Sequence, residues 1–472
     1  MPKPYAPHQE NPVKIPALSP LVTGIKWLLY LLAALIVGVL LINLFDQHLH
    51  PDIPAFADFS SEGVPPAQNA YFALMGQAAA LGSDPHALGM ELVKQVNQLV
   101  DQGKGNDPVS MEIPDKLYGP GKIQLRGAIN TLCERDAHRC LPAYRQKAQQ
   151  IAQMLRDNQV LIARTYRLYH YPHYRETMQQ TIAAPLPMYG TLGSDLILAK
   201  IGLQATRGEQ LPALEALEQE VRFWRMVLRE SRMLVTKMVA VARLKRSFRL
   251  TSEIMATYPP NSAQTAILMR ILAPLGAEEL NMARTFRSEF VFTKTILEDI
   301  SATDMAGAGK ELTWKLTELF LFKRNATINL IYARARDLAA LGALPADEFL
   351  KRAVQIQASE AQRPHWLSWH FAYNPVGKVL GEIATPDYVR YIGRVHNLDG
   401  LLRLVKLQLL MQQRGVSDTQ GADFLAKADP ALTNPYTKQP MERDPALHAL
   451  YFQGMLERGD GELLGQRVEV RL

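Results

Sequence analysis

Trp27 to Phe45 limits what this chain can become more than any other stretch. It holds nineteen residues with no charge and one polar side chain, Asn43. Leu21 to Ile25 precede it, interrupted only by Lys26. Roughly 20 residues rising about 1.5 Å each span the ~30 Å hydrocarbon layer of a bilayer. Lys26 sits near one end, where its stem can lie in lipid while the ammonium reaches the headgroups. The pattern predicts a cytoplasmic tail over 1–24, a transmembrane anchor over 25–45 and contact with the lipid bilayer through Trp27–Phe45.

Charge sets the expected orientation. The N-terminal flank carries Lys3, Lys14 and Lys26 against Glu10, whereas Asp46 to Val64 has four acids and no Lys or Arg. Positive residues stay cytoplasmic, so everything beyond the anchor is expected outside, in the periplasm of a bacterial inner membrane. A cleaved signal peptide is the competing reading. Its apolar core is usually shorter, and the A-x-A-like Ala55-Phe56-Ala57 lies well past the run. Residues 46–66, rich in Pro, Asp, Ser and Gly, read as an extended tether. His48 and His50 within it have no neighbouring ligands to complete a metal site.

With 472 residues and 47% hydrophobic content, the outer part is expected to bury a real core. The net charge of +6 is mild and gives no argument for nucleic acid. Cys133 and Cys140 are the only cysteines. In an oxidising compartment they read as a disulfide. Seven residues of continuous helix would separate them by about 10.5 Å, beyond the ~7 Å that a bridge tolerates, so the chain must turn between them.

Helical periodicity dominates the rest of the chain. Ser83-Asp84-Pro85 is a helix start. Gly103–Lys122, dense in Gly, Pro, Asp and Asn, reads as irregular or briefly extended. Glu209–Tyr258 reads as the most regular segment, with Val221, Trp224, Leu228, Val235 and Met238 on one stripe. Further helices are expected over 263–273, 277–300, 309–322, 326–341, 345–361 and 386–411, and HALYFQGM with GQRVEVRL predicts a terminal β-hairpin. The expected fold is mainly α: an N-terminal transmembrane helix, then a multi-helix body, bundle or irregular solenoid, with a small β-hairpin. The expected divisions are a first helical lobe with the disulfide over 67–184, a main helical lobe over 185–430 and a cap over 431–472.

Nucleophile-elbow, Walker, zinc-protease and Cys-x-x-Cys signatures are absent, so no catalytic, metal or cofactor residue is assigned. Three clusters stand out instead. Tyr166 to Tyr174 packs four Tyr and two His into nine residues, and a helix end against a neighbour explains them. His365 to Tyr373 places Trp366, Trp369, His370 and Tyr373 on one face if helical. Trp366 and Trp369 are expected to be mostly buried, with a protein interface or a glycan platform as the other readings. Arg222, Arg225, Arg229 and Arg232 form a basic stripe suited to phosphates, an acidic polymer or an acidic partner, or to a solvated face paired with Glu218 and Glu230.

Four segments resemble uncharacterised single-pass, predominantly α-helical bacterial envelope proteins: Asn69-Ala-Tyr-Phe-Ala-Leu, Phe223-Trp-Arg near Lys237-Met-Val-Ala, Arg324-Asn-Ala-Thr-Ile-Asn and Tyr373-Asn-Pro-Val-Gly-Lys. Asn434-Pro-Tyr-Thr-Lys-Gln-Pro is similar to the Asp-Pro-x-Thr-Gly-x-Pro endings of other exported bacterial proteins, with Asn for Asp and Lys for Gly. The resemblance implies no activity and no catalytic residues. The resulting expectation is a membrane-anchored periplasmic interaction or scaffold protein with envelope protein partners. The alternative is an envelope or cell-wall enzyme with a cleft near His365–Tyr373 or Tyr166–Tyr174.

Overall fold

Apolar residues at three- and four-residue spacing wind most of the chain into helices, as the computed structural model shows. It describes residues 19–104, 109–129, 132–133, 139–181, 184–185, 188–299, 311–360, 369–383, 388–456 and 463–472. The longer helices are α1 (Ser19–Ile42), α2 (Pro85–Asp101), α3 (Met188–Thr206), α4 (Gln210–Glu230), α5 (Leu234–Thr257), α6 (Ala283–Asp299), α7 (Arg324–Leu341), α8 (Ala346–Glu360) and α9 (Tyr388–Gln413). Strands β1 (Glu442–Asp444), β2 (Ala449–Met455) and β3 (Leu464–Arg471) form an antiparallel sheet in the order β1-β2-β3. The terminal hairpin is therefore present, with β1 as an added strand.

The chain divides into two units. One comprises Met1–His48, Ser301–Thr327 and Pro364–Leu380; the other comprises Leu49–Ile300, Ile328–Arg363 and Gly381–Leu472. This differs from the division read from the sequence. Within the second unit, parts of 67–184, 185–430 and 431–472 share one core, which runs from Ala70 through Leu244, Phe248 and Leu404 to Phe452 and Val470. Helix α3 packs on the helices of 141–168 and on α4, so no lobe boundary falls at 184/185.

Two local readings also change. Val109–Tyr118 is helical rather than irregular. The stretch from 209 to 258 is an α4–α5 hairpin, broken at Ser231–Met233 without Gly or Pro. The break is held from a distance. The buried Glu176 carboxylate accepts the N–H groups of Arg232 and Met233, and Glu289 accepts that of Leu234. These carboxylates satisfy donors that any helix start leaves orphaned.

From Leu49 onward, the predicted tether is docked. Ile53–Ala57 is a short helix, Phe56 meets Phe290 and Tyr332 edge-on at 5.6 and 5.2 Å, and Arg287 donates to the carbonyls of Phe56 and Asp58. The sheet lies on α9, where glycines make room. A Cβ at Gly400 would stand 2.2 Å from the Phe452 ring, and one at Gly393 would stand 2.4 Å from the Met455 sulfur. Asn397 between them exchanges hydrogen bonds with the Met455 backbone at 2.8 and 3.0 Å. The Asn434–Pro440 turn sends Tyr436 to the same place, its hydroxyl donating to the Gly393 carbonyl at 2.8 Å.

Candidate functional site

The basic stripe is built into the fold. Arg225 forks onto Glu279 and also donates to the carbonyls of Ala273 and Pro274, fixing the Ala277–Leu280 turn against α4. Arg229 pairs with Glu230, and Arg222 reaches the Tyr169 carbonyl. Arg232 lies beyond the end of α4, with its guanidinium over the Phe59 ring. Glu218 pairs with Arg270 rather than with the stripe. The four guanidinium groups thus serve different contacts and do not form one anion-binding face.

The tyrosine–histidine segment is likewise dispersed. Tyr169 is buried and donates to the buried Glu220 carboxylate, which also receives Ser194 and the Trp224 indole N–H. Burial raises the Glu220 carboxyl above its ordinary range, with these donors opposing. Tyr174 is fully buried against Tyr71, Tyr171 stacks on His86, and His173 lies 3.8 Å from Glu230. These contacts are those of a helix end packed against its neighbours.

An open cleft of about 240 Å³ beside the sheet has no counterpart in any sequence pattern. Arg139, Arg249 and Arg471 line it with His448, Glu253 and Glu469. Glu253 accepts the N–H groups of Cys140 and Leu141 at 2.8 Å. Cys133 and Cys140 stand at disulfide distance, with Cα atoms 5.5 Å apart. Among the described residues, no group of three or more His, Cys, Asp or Glu is placed to hold a metal ion.

The third cluster departs most from expectation. His365 and Trp366 lie outside the described residues. Trp369 is 76% exposed, not core, and begins a 3-10 turn, Trp369–Phe371. The residues just after this turn are tied to the end of α1. Asn43, fully buried, donates to the Ala372 carbonyl at 2.7 Å and accepts the Asn374 N–H at 2.8 Å. The Tyr373 hydroxyl donates to the Phe45 carbonyl. Asn374 has a left-handed φ of 51°, just before Pro375, a conformation asparagine tolerates better than most residues. Its side chain accepts the Lys323 N–H and donates to Thr327 Oγ1. Gly377 is required beneath it, because a Cβ there would lie 1.9 Å from Thr327 Oγ1. Asp46 completes the clasp by accepting the N–H groups of Asn325 and Ala326 at the start of α7. Two of the resembling segments, at Arg324 and Tyr373, therefore meet at the end of the apolar helix.

Compared with known proteins, the chain matches no family model, no curated protein and no solved structure.

Proposed function

We propose that this chain is a single-pass protein of a bacterial inner membrane, with a cytoplasmic N-terminus and a periplasmic body that binds envelope partners. The observation that carries the reading is the clasp at Asn43. Thr23–Ile42 is long and apolar enough to cross a membrane, and Asn43, the residue that follows it, is hydrogen-bonded into folded chain more than 300 residues away. A signal sequence removed after translocation would have no use for such a join. The lysine-bearing N-terminal flank favours a cytoplasmic start. Catalysis at the tyrosine–histidine segment is disfavoured because Tyr169, Tyr171 and Tyr174 are committed to internal contacts.

The test is topology together with capture. A periplasm-active reporter after Leu472 should be active and a cytoplasm-only reporter silent. Full-length protein in detergent should co-purify with stoichiometric envelope proteins. A silent periplasmic reporter overturns the topology; a chain that is purified alone after in vivo crosslinking overturns the interaction role.

A second reading, an envelope enzyme, is favoured by the cleft, which gathers Glu253, Glu469 and His448 from distant segments. It lies at the sheet rather than at either segment named from the sequence. Turnover of envelope material that His448→Ala abolishes, with folding retained, would establish it over the binding role.

A further inference from the structure

We propose that the segments clasped to the end of α1 form an apolar collar that seats in the outer interface of the same bilayer, with Trp369 as its anchor. The inference rests on the membrane-anchored reading. Leu316, Leu319, Leu321, Trp369 and Val379 are each 36% exposed or more, all within 311–327 and 369–380. In the other unit, large exposed apolar side chains are scattered singly between Leu49 and Leu447. Single exposed apolar residues are ordinary, whereas a concentration of them marks a surface made to be covered.

The bilayer is the occupant because the collar is continuous with the membrane helix. Ala372 and Asn374 are hydrogen-bonded directly to Asn43, the first residue after α1. Trp369 is three residues from Ala372, and three residues of chain reach at most about 10 Å. The Leu321 carbonyl accepts the Val376 N–H, two residues beyond Asn374. The headgroup region beside the ~30 Å hydrocarbon layer is about 5–7 Å deep on each side. The collar's apolar side chains are therefore held at interface depth by hydrogen bonds rather than by a loose linker. Phe45 (77% exposed) and Leu44 (40%) continue the apolar belt from α1 into it.

Residue chemistry agrees. Leu316 and Leu319 stand three apart on the helix Glu311–Phe320 and share a face. The neighbouring Lys315 is exposed, and a lysine stem can lie along lipid while its ammonium stays wet. Lys323 donates to the Glu318 and Leu319 carbonyls and Lys378 to that of His370, so the ends of both helical pieces are satisfied internally. Backbone groups satisfied in this way can approach lipid without penalty. Tryptophan is the residue most suited to headgroup depth, apolar in its rings and polar at its N–H.

Depth measurement on the full-length chain in phosphatidylcholine–phosphatidylglycerol nanodiscs tests this. The native cysteines are bridged, leaving no free thiol among the described residues. Single cysteines replacing Leu316, Trp369 or Val379 are labelled with an environment-sensitive fluorophore, and Leu32→Cys reports on the anchor. Nitroxides on carbon 5 of the lipid chain should quench the three collar labels several-fold more than aqueous iodide does. Leu32 should be quenched best by carbon-16 nitroxides. If Leu32 responds in that way while collar labels respond only to iodide, the collar is overturned and the anchor stands. Collar labels shielded from both quenchers mean that protein covers them, a partner or a second copy, and also overturn the proposal. If Leu32 itself responds only to iodide, the anchored reading fails and the collar with it.

Discussion

Asn374 donates its backbone N–H to the side-chain oxygen of Asn43 at 2.8 Å, and Asn43 answers with its amide to the Ala372 carbonyl. Neither side chain is solvent-accessible beyond a trace. The Asn43 side chain replaces water for backbone groups just after the 3-10 turn and at the end of α1, and the Asn374 side chain does so for the Lys323 N–H before α7.

Asn374 is therefore predicted to tolerate no substitute. Asn374→Gly keeps the left-handed backbone but leaves the Lys323 N–H unpaired, a loss of about 1–3 kcal/mol. Asn374→Ala loses the same bonds and adds about 1 kcal/mol of backbone strain. Denaturant unfolding of the detergent-solubilised full chain should rank wild type above Gly and Gly above Ala. Equal midpoints for Gly and Ala would show that the left-handed conformation is not in use.

Gly400 and Phe452 make a second test. Gly→Ala inside a helix ordinarily gains about 1 kcal/mol. Here the new methyl meets the Phe452 ring at 2.2 Å, and overpacking costs about 1–3 kcal/mol. Gly400→Ala should destabilise the wild type and be neutral or stabilising in a Phe452→Leu background. A double-mutant cycle with no coupling would rule out this docking of β2 on α9.

Much of this fold is legible in the sequence because helical periodicity and turn chemistry are local. The helix over 386–411, the Ser83-Asp84-Pro85 start and the terminal hairpin all depend on residues within a few positions of one another. The features that sequence reasoning misses depend on distant partners. The α4–α5 break carries no Gly or Pro; it exists because Glu176 and Glu289 reach it from outside the hairpin. The arginine stripe has helical spacing, but spacing does not reveal that Glu279 claims Arg225. Aromatic character predicts Trp369 inside. It lies in a 3-10 turn rather than a longer helix, and Asn43, far away in sequence, fixes that turn. The cleft has no local signal because Arg139, Glu253 and His448 come together only through the docking of β3 on α5 and α9.

The bridge and Glu253 are predicted to be coupled. Non-reducing mass spectrometry should find Cys133 joined to Cys140. Losing so small a loop closure costs about 2–3 kcal/mol. Glu253→Ala leaves the Cys140 and Leu141 N–H groups without their acceptor, about 1–3 kcal/mol more. With Cys133→Ser the freed segment can turn those groups to water, so Glu253→Ala should then cost less. Strictly additive unfolding energies would show that the carboxylate and the bridge act independently.

Lys237 gives stability a distinctive pH dependence. Its ammonium is fully buried and donates to the carbonyls of Leu228 and Asn281 at 2.7 and 2.9 Å. Burial, helped by Arg284 and opposed by Glu279 and Glu176, brings its pKa down to about 7. Below pH 7 both folded and unfolded chains hold this proton. Between about 7 and the ordinary lysine value of 10.5 the unfolded chain holds it and the folded chain does not. The unfolded state then binds more protons, so stability rises with pH, by up to about 1.4 kcal/mol per unit. The buried carboxyls of Glu176, Glu220 and Glu289 act with the opposite slope. Burial raises each above 4.5, so their contribution falls as pH climbs from 4.5 through the raised values. Urea midpoints of the full chain at pH 6.5, 7.5, 8.5 and 9 should therefore climb relative to those of a chain without the Lys237 ammonium. Lys237→Met removes the titration while filling similar volume, and its two abandoned carbonyls lower stability equally at every pH. The variant should be less stable throughout and should lose the rise above pH 7. A rise that persists undiminished in Lys237→Met would assign it to another group and show that Lys237 keeps its proton in the folded chain.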